Sequence, residues 1–138
     1  MSELNDFNQG VISEFRANQG KVGGQLATMP VLLLTMTGAK SGRTLTRPLV
    51  YTTDGDRIVV IASFAGAPNN PSWYHNLVAN PEATVELGSE RFRVSATVTS
   101  GAERQRLFNR QAAQMPIFAD YQTKTTRQIP VLVLTRID

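Results

Sequence analysis

The residues with the most chemistry to offer lie between positions 38 and 47. Gly38-Ala39-Lys40-Ser41-Gly42-Arg43 sets two glycines around a cation and a hydroxyl, with a second cation following. Glycines at such places let backbone amides turn toward an anion, and Lys40, Ser41 and Arg43 add donors of their own. Neither the G-x-x-x-x-G-K-[ST] order of a phosphate loop nor the G-x-G-x-x-G fingerprint is present. A plain hairpin with basic residues at its tip carries the same letters, so the loop alone leaves both readings open. Between Glu14 and Asp54 the chain holds Arg16, Lys21, Lys40, Arg43 and Arg47 and not one acid. Such a local positive field suits an anionic ligand; a solvated basic face is the alternative.

Most other chemistries can be set aside. There is no cysteine, which removes disulfides, thiolate metal sites and a thiol nucleophile. The one histidine, His75, cannot form a multi-histidine metal site, and no ligands flank it at zinc-like spacing. No metal is expected. A serine–histidine–acid triad would need His75, yet no G-x-S-x-G elbow exists. A lone histidine in a helix reads as a surface or packing residue. The acids are scattered and mostly in turns, so no carboxylate pair is available for acid–base work. An enzyme built from these residues would borrow its reactivity from a cofactor and supply binding and orientation itself. The net charge of +3 is too mild to argue for nucleic acid, and exposed aromatics interleaved with basic residues are missing.

The elements that must position the loop follow from periodicity. Leu4, Phe7, Val11, Ile12 and Phe15 make one apolar stripe on a helix over about 3–18, ended by the glycine-rich stretch 19–24. VLLLTMT (31–37) reads as a buried strand. Residues 44–53 form a second strand, whose internal Pro48 points to an edge or a bulge. Asp54-Gly55-Asp56 signals a hairpin turn into IVVIAS (58–63), the most buried strand. Asn70 is a good N-cap and Pro71 a good first residue for a short helix that Asn80-Pro81 stops. Strands with alternating apolar residues follow over 83–87 and 92–98. Ser100 and Glu103 form a capping box for a helix to about Met115, and IPVLVLT (129–135) is the final strand. Meandering strands with a leading helix and two inserted helices predict an α+β, mainly β fold: a small barrel in one domain over 1–138, with the barrel itself over about 30–136. The start, MSELNDFNQG, is polar and acidic where a signal peptide would be basic and then apolar, and no apolar run approaches the roughly 20 residues of a membrane span. A soluble cytoplasmic protein is expected.

Three segments together resemble the deazaflavin-dependent nitroreductase family of actinobacteria. The first is Leu33 to Arg43 followed by Arg47-Pro48-Leu49. The second is Ile61-Ala62-Ser63-Phe64-Ala65-Gly66-Ala67-Pro68-Asn69-Asn70-Pro71-Ser72-Trp73-Tyr74-His75-Asn76-Leu77, close to the pattern A-S-x-x-G-x-x-x-N-P-x-W-Y-x-N-L. The third is Tyr121 to Val131. The resemblance implies a split β-barrel and coenzyme F-420, a deazaflavin with a phospholactyl and oligoglutamate tail. It places Lys40, Ser41, Gly42 and Arg43 at the phosphate and the start of the tail. Arg47, Pro48, Leu49 and Val50 would lie beside the ring, as would Ala62, Ser63 and Phe64. Gly66 and Asn70 belong to the same cofactor-binding set, and Trp73 and Asn76 would close the pocket. Without the motif Trp73 and Tyr74 read as core aromatics; with it, the two take a mixed role.

The implied reaction is hydride transfer from the reduced deazaflavin to an enone, a quinone or a nitro-aromatic. Ser63 is the candidate donor to the anion that develops on the acceptor, and Tyr121 the candidate for orienting the substrate or relaying a proton. Relatives that reduce nitroimidazole prodrugs carry tyrosines where this chain has Met115 and Phe118. These two, with Tyr121, would form a more apolar substrate wall suited to enones or quinones. Val50 likewise stands where a ring-side tyrosine is found. The N-terminal helix either docks on the barrel and caps the site or touches a membrane, though Glu3, Asp6 and Glu14 weaken the second reading. Two rivals remain: an FMN-dependent reductase of the same fold, and a non-catalytic carrier of the deazaflavin or a tetrapyrrole-like ligand. A monomer is expected.

Overall fold

The computed structural model describes residues 2–17, 30–63 and 70–137, with side chains from residue 9 onward. Helix α1 (Ser2–Ala17) precedes strands β1 (Val31–Thr37), β2 (Thr44–Asp54) and β3 (Arg57–Ile61). Helix α2 (Ser72–Ala79) leads to β4 (Glu82–Leu87) and β5 (Glu90–Val98), then α3 (Gly101–Gln114), α4 (Ile117–Thr123) and β6 (Val131–Arg136). The six strands close into a barrel in the order β1-β2-β3-β6-β5-β4, and every pairing is antiparallel. The split β-barrel expected from the resemblance is therefore the architecture found.

The two-residue alternation of the strands divides their side chains between two surfaces. Leu32, Leu34 and Met36 of β1 point into the barrel with Ile58, Val60, Val85, Val94, Leu132 and Leu134. Trp73 and Leu77 of α2 complete that interior cluster. The outward residues Val59, Ile61, Val131 and Val133 are covered by Leu107 and Phe108 of α3 and Phe118 of α4. Ile12 and Phe15 of α1 cover Val31 and Leu33, with Val50 packed alongside. The N-terminal helix thus docks on the barrel through the C-terminal half of its apolar stripe. The side chains of Leu4 and Phe7 and the segment 19–24 lie outside the described residues. No helix among them is long and apolar enough to cross a membrane.

β2 is the strand that splits the barrel. Residues 44–50 pair with β1, whereas pairing with β3 begins only at Tyr51. One edge of 44–50 is therefore open where β3 ends. Tyr51 N–H donates to Pro30 O on the β1 side at 3.1 Å. By alternation the even residues face the open edge, so the missing N–H of Pro48 costs no ladder bond, as its edge reading anticipates.

Several expectations need correction. Asn70 does not cap α2: Pro71 is the N-cap, without a side-chain cap bond. Ser100 is the N-cap of α3, but the capping box is not formed. Glu103 instead reaches Arg57 on β3 at 3.4 Å. A third inserted helix, α4, occupies a stretch for which the periodicity predicts no element, because seven residues after Pro116 are too few to show a period. β3 stops at Ile61, two residues early, and β6 begins at Val131, two residues late.

Candidate active site

The loop 38–43 is held in a tight, closed form. Gly38 N–H donates to Arg43 O at 2.8 Å, Gly42 N–H to Gly38 O at 3.0 Å, and Arg43 N–H to Ser41 Oγ at 3.1 Å. Gly42 has φ +69°, a conformation that favours glycine. A Cβ at Gly38 would stand 2.6 Å from Ser41 Oγ, so a larger residue there would push the Ser41 hydroxyl off the Arg43 amide. Ala39 N–H donates to Asn76 Oδ1 at 2.9 Å, which ties the loop to α2. These bonds engage the amides of 38, 39, 42 and 43. The amides of Lys40 and Ser41 have no partner among the described residues.

Beside those two amides opens a cavity of about 540 Å3, lined by Lys40, Ser41, Leu45, Ser72, His75 and Asn76 among others. A pair of unspent N–H groups next to the Lys40 ammonium is a site for an anion. Of the five cations in the acid-free stretch, Lys40 lines the cavity, Arg43 belongs to its loop and Arg47 to the adjoining strand. Arg16 does not contribute, since it makes two bonds to Glu86 of β4 at 2.9 and 3.2 Å. Lys21 lies outside the described residues. Ser72 and His75 were not among the expected site residues. Their signal was one helical turn of spacing on α2, with His75 directly before Asn76.

The remaining candidates fall along the open edge of β2 and at the end of β3. Arg47 shares a face with Leu45 and Leu49, and its Nη1 donates to Thr46 O at 2.9 Å. Pro48 and Val50 lie on the opposite face, where Val50 packs against both outer clusters. Ala62 and Trp73 are buried in the barrel interior, so the core role of Trp73 is real. Ser63 is buried to 9% exposure, and its hydroxyl has no partner among the described residues. Phe64 and Gly66 lie outside the described residues. Asn70 Oδ1 accepts from Arg127 Nη1 at 2.8 Å. On the acceptor side, Phe118 is a buried core residue, with Met115 and Tyr121 half-buried at the rim of the same cluster. The Tyr121 ring stands edge-on to Phe118 at 5.8 Å, with Lys124 Nζ 5.8 Å from its centre.

Arg127 is the functional candidate that residue types alone did not single out. Its Nη1 donates to Ala62 O at 3.2 Å and its Nη2 to Ser63 O at 2.8 Å, in addition to the Asn70 bond. Burial pushes its guanidinium below the ordinary value.

The residues present fit a cofactor with an anionic tail: the unspent amides and the Lys40 side chain line the cavity, and Leu45 of the open strand β2 borders it. A family model for the F-420H(2)-dependent quinone reductases matches residues 9–136. A Mycobacterium tuberculosis protein of that name is 38% identical over 128 residues, covering 88% of this chain and 85% of the relative. The solved structure of an F-420-H2 dependent reductase is 38% identical with a TM-score of 0.70, over 76% of this chain and 93% of that one. A further solved structure, described as a domain-swapped dimer, is 34% identical with a TM-score of 0.72, over 94% of this chain and 98% of that one. The chain belongs to the F-420H(2)-dependent quinone reductase family and is an oxidoreductase whose cofactor is coenzyme F-420.

Proposed function

We propose that this reductase acts on quinone-type acceptors and that the residues described above divide its work as follows. Lys40, Ser41, Gly42 and Arg43 hold the phosphate and the start of the anionic tail. Arg47, Pro48, Leu49 and Val50 on one side, and Ala62, Ser63 and Asn70 on the other, flank the ring. Trp73 and Asn76 carry the floor of the pocket from α2. The observation that carries this reading is the pair of unspent amides at Lys40 and Ser41, two residues that line a cavity Asn76 helps to wall.

When bound, coenzyme F-420 supplies a hydride, that is, a proton's mass with two electrons. The protein's share is to orient the acceptor and to meet the charge that appears on it. Two-electron reduction of a quinone to a quinol takes up one hydride and one proton, and negative charge gathers on a ring oxygen between the two events. The Ser63 hydroxyl is free to donate to that oxygen. The Tyr121 phenol orients the acceptor or passes the proton on, and solvent supplies it. Met115, with Phe118 behind it, gives an apolar wall that suits a hydrocarbon quinone ring. This reading places one deazaflavin-binding domain over 1–138 in the cytoplasm as a monomer. The apolar outer faces of β1, β3 and β6 are covered by the chain's own helices, and the outward residues of β4 and β5 are polar or charged.

Trp73 is the only tryptophan, so its emission reports on the pocket. Oxidised F-420 titrated into the protein, with FMN in parallel, is expected to quench it saturably at micromolar levels while FMN does not. Reduced F-420 with menadione should then give turnover, which Ser63→Ala and Tyr121→Phe should each slow at least tenfold. Quenching by FMN alone would overturn the assignment. Binding of F-420 without turnover against quinones, enones and nitro-aromatics would make the protein a carrier.

A further inference from the structure

In an extended strand, successive carbonyls point to opposite edges. Ala62 and Ser63 break that rule, since one guanidinium, that of Arg127, bonds both of their oxygens. The chain therefore bends off the strand at the point where β3 ends. The same guanidinium also holds Asn70 Oδ1, at the entrance to α2.

Arg127 is itself held from behind. Its carbonyl accepts from Gln122 Nε2 at 2.8 Å. Gln122 Oε1 accepts from Ile129 N–H and from Arg104 Nη2, each at 3.1 Å. Arg104, 4% exposed, also donates to Ile129 O through Nη2 at 2.6 Å and Nε at 3.1 Å. Gln122 follows Tyr121 directly on α4. A single hydrogen-bonded path therefore runs from the helix of Tyr121, through Gln122 and Arg127, to the backbone of Ser63.

We infer that Arg127 is a positioning residue of the reductase: it fixes the bend at Ala62–Ser63, and with it the place of the Ser63 donors relative to Tyr121. The inference rests on the functional reading that gives Ser63 and Tyr121 the acceptor. The carbonyl of Ala62 shares a peptide unit with Ser63 N–H, which has no partner among the described residues. A cation on that carbonyl draws electron density from the unit and makes the N–H a stronger donor, as in any hydrogen-bonded chain. Arg127 thus sets both the position of the Ser63 hydroxyl and the strength of the amide next to it. A lysine could not do the same, because a single ammonium lacks the planar fork that reaches three acceptors on two segments.

The test compares wild type, Arg127→Lys, Arg127→Ala and Asp54→Asn. The last loosens α3 from the end of β2 without touching a residue given a role at the site, and so serves as the stability control. Each is read for melting temperature, F-420 affinity by Trp73 quenching, and kcat and KM with menadione. Arg127→Lys is expected to fold and to lose at least tenfold in kcat, with KM for menadione changing less than threefold. Arg127→Ala is expected to lose more, and guanidinium at about 20 mM, far below the molar concentrations that unfold proteins, should restore part of its kcat. Asp54→Asn should keep its kcat at a comparable loss of melting temperature. The inference is overturned if Arg127→Lys matches Asp54→Asn in kcat, or if guanidinium rescues nothing. Failure of wild type to bind F-420 overturns the functional reading and takes this inference with it. Normal wild-type binding together with an active Arg127→Lys overturns the inference alone.

Discussion

Asn76 on α2 and Ala39 in the β1–β2 loop are joined by one hydrogen bond, the Ala39 amide donating to Oδ1 at 2.9 Å across 37 positions of sequence. With Asn76 only 8% exposed, this bond sets where the loop stands over the cavity. Asn76→Ala leaves the Ala39 amide without a partner, at a cost of roughly 1 kcal/mol. It should weaken F-420 binding about tenfold, the equivalent of 1.4 kcal/mol. Asn76→Asp keeps an acceptor for Ala39 but brings a negative charge under the loop. Its melting temperature should stay near that of wild type, while affinity falls more for F-420 than for a deazaflavin lacking phosphate and tail. Trp73 quenching with both ligands measures this, and equal losses would mean that loop 38–43 does not hold the phosphate.

Gln111 on α3 is fully buried, and neither its Oε1 nor its Nε2 has a hydrogen-bond partner among the described residues. An orphaned buried amide costs about 1–3 kcal/mol, and replacing it by an apolar group of similar shape removes that cost. Gln111→Met is close in volume and is an equally good helix former. The variant should melt several degrees higher, since a domain of this size gains about 3–5 °C per kcal/mol. Differential scanning calorimetry decides it; a lower melting temperature would mean that the amide has a partner, such as a bound water.

How far the fold was legible depends on how local each signal was. Val31–Met36 and Ile58–Ile61 announce themselves as branched apolar runs, and Gly55, at φ +65°, is the turn residue that Asp54-Gly55 promises. Asn70 has the right residue type for a cap, yet its side chain is taken by Arg127, 57 positions away, and no local pattern reports that competition. The same holds for Glu103, which Arg57 draws away from the cap. At the site, Lys40, Ser41 and Asn76 were legible because a short loop and a motif contain them. Arg127 was not, because its work is done on the backbone of Ala62 and Ser63, and any residue can supply a carbonyl.

Asp54 is held by three arginines: Arg57, Arg106 at 3.2 Å and Arg110 at 3.0 Å. Hydrogen bonds from Arg106 and then Arg57 are the main reasons its carboxyl lies well below the ordinary carboxylate range. A carboxyl depressed in the folded state adds stability above its unfolded value, near 4, and that stability is lost as pH falls toward the folded value. Asp54→Asn should therefore melt below wild type at pH 7. The gap should narrow as pH drops below about 4, because only wild type then takes up the extra proton. Melting curves from pH 7 to pH 2.5 test this, and a gap constant with pH would show that the ion cluster adds nothing through its charge.

The resemblance sets Met115 and Phe118 against tyrosines of nitroimidazole-reducing relatives, and the structure makes the two positions unequal. Phe118 is 7% exposed within the outer cluster, so a hydroxyl added there needs a partner that the apolar surroundings do not offer. Phe118→Tyr should cost about 1–3 kcal/mol and lower the melting temperature by several degrees. Met115 is half-buried at the rim of that cluster, where a tyrosine can keep its ring on apolar neighbours and its hydroxyl in water. Met115→Tyr should melt within about 2 °C of wild type, as near-neutral changes do. It should also shift kcat/KM toward a nitro-aromatic and away from menadione, because the new hydroxyl can hydrogen-bond a nitro oxygen at the wall. Equal destabilisation by the two substitutions would place Met115 in the core, and an unchanged acceptor ratio would remove it from the substrate wall.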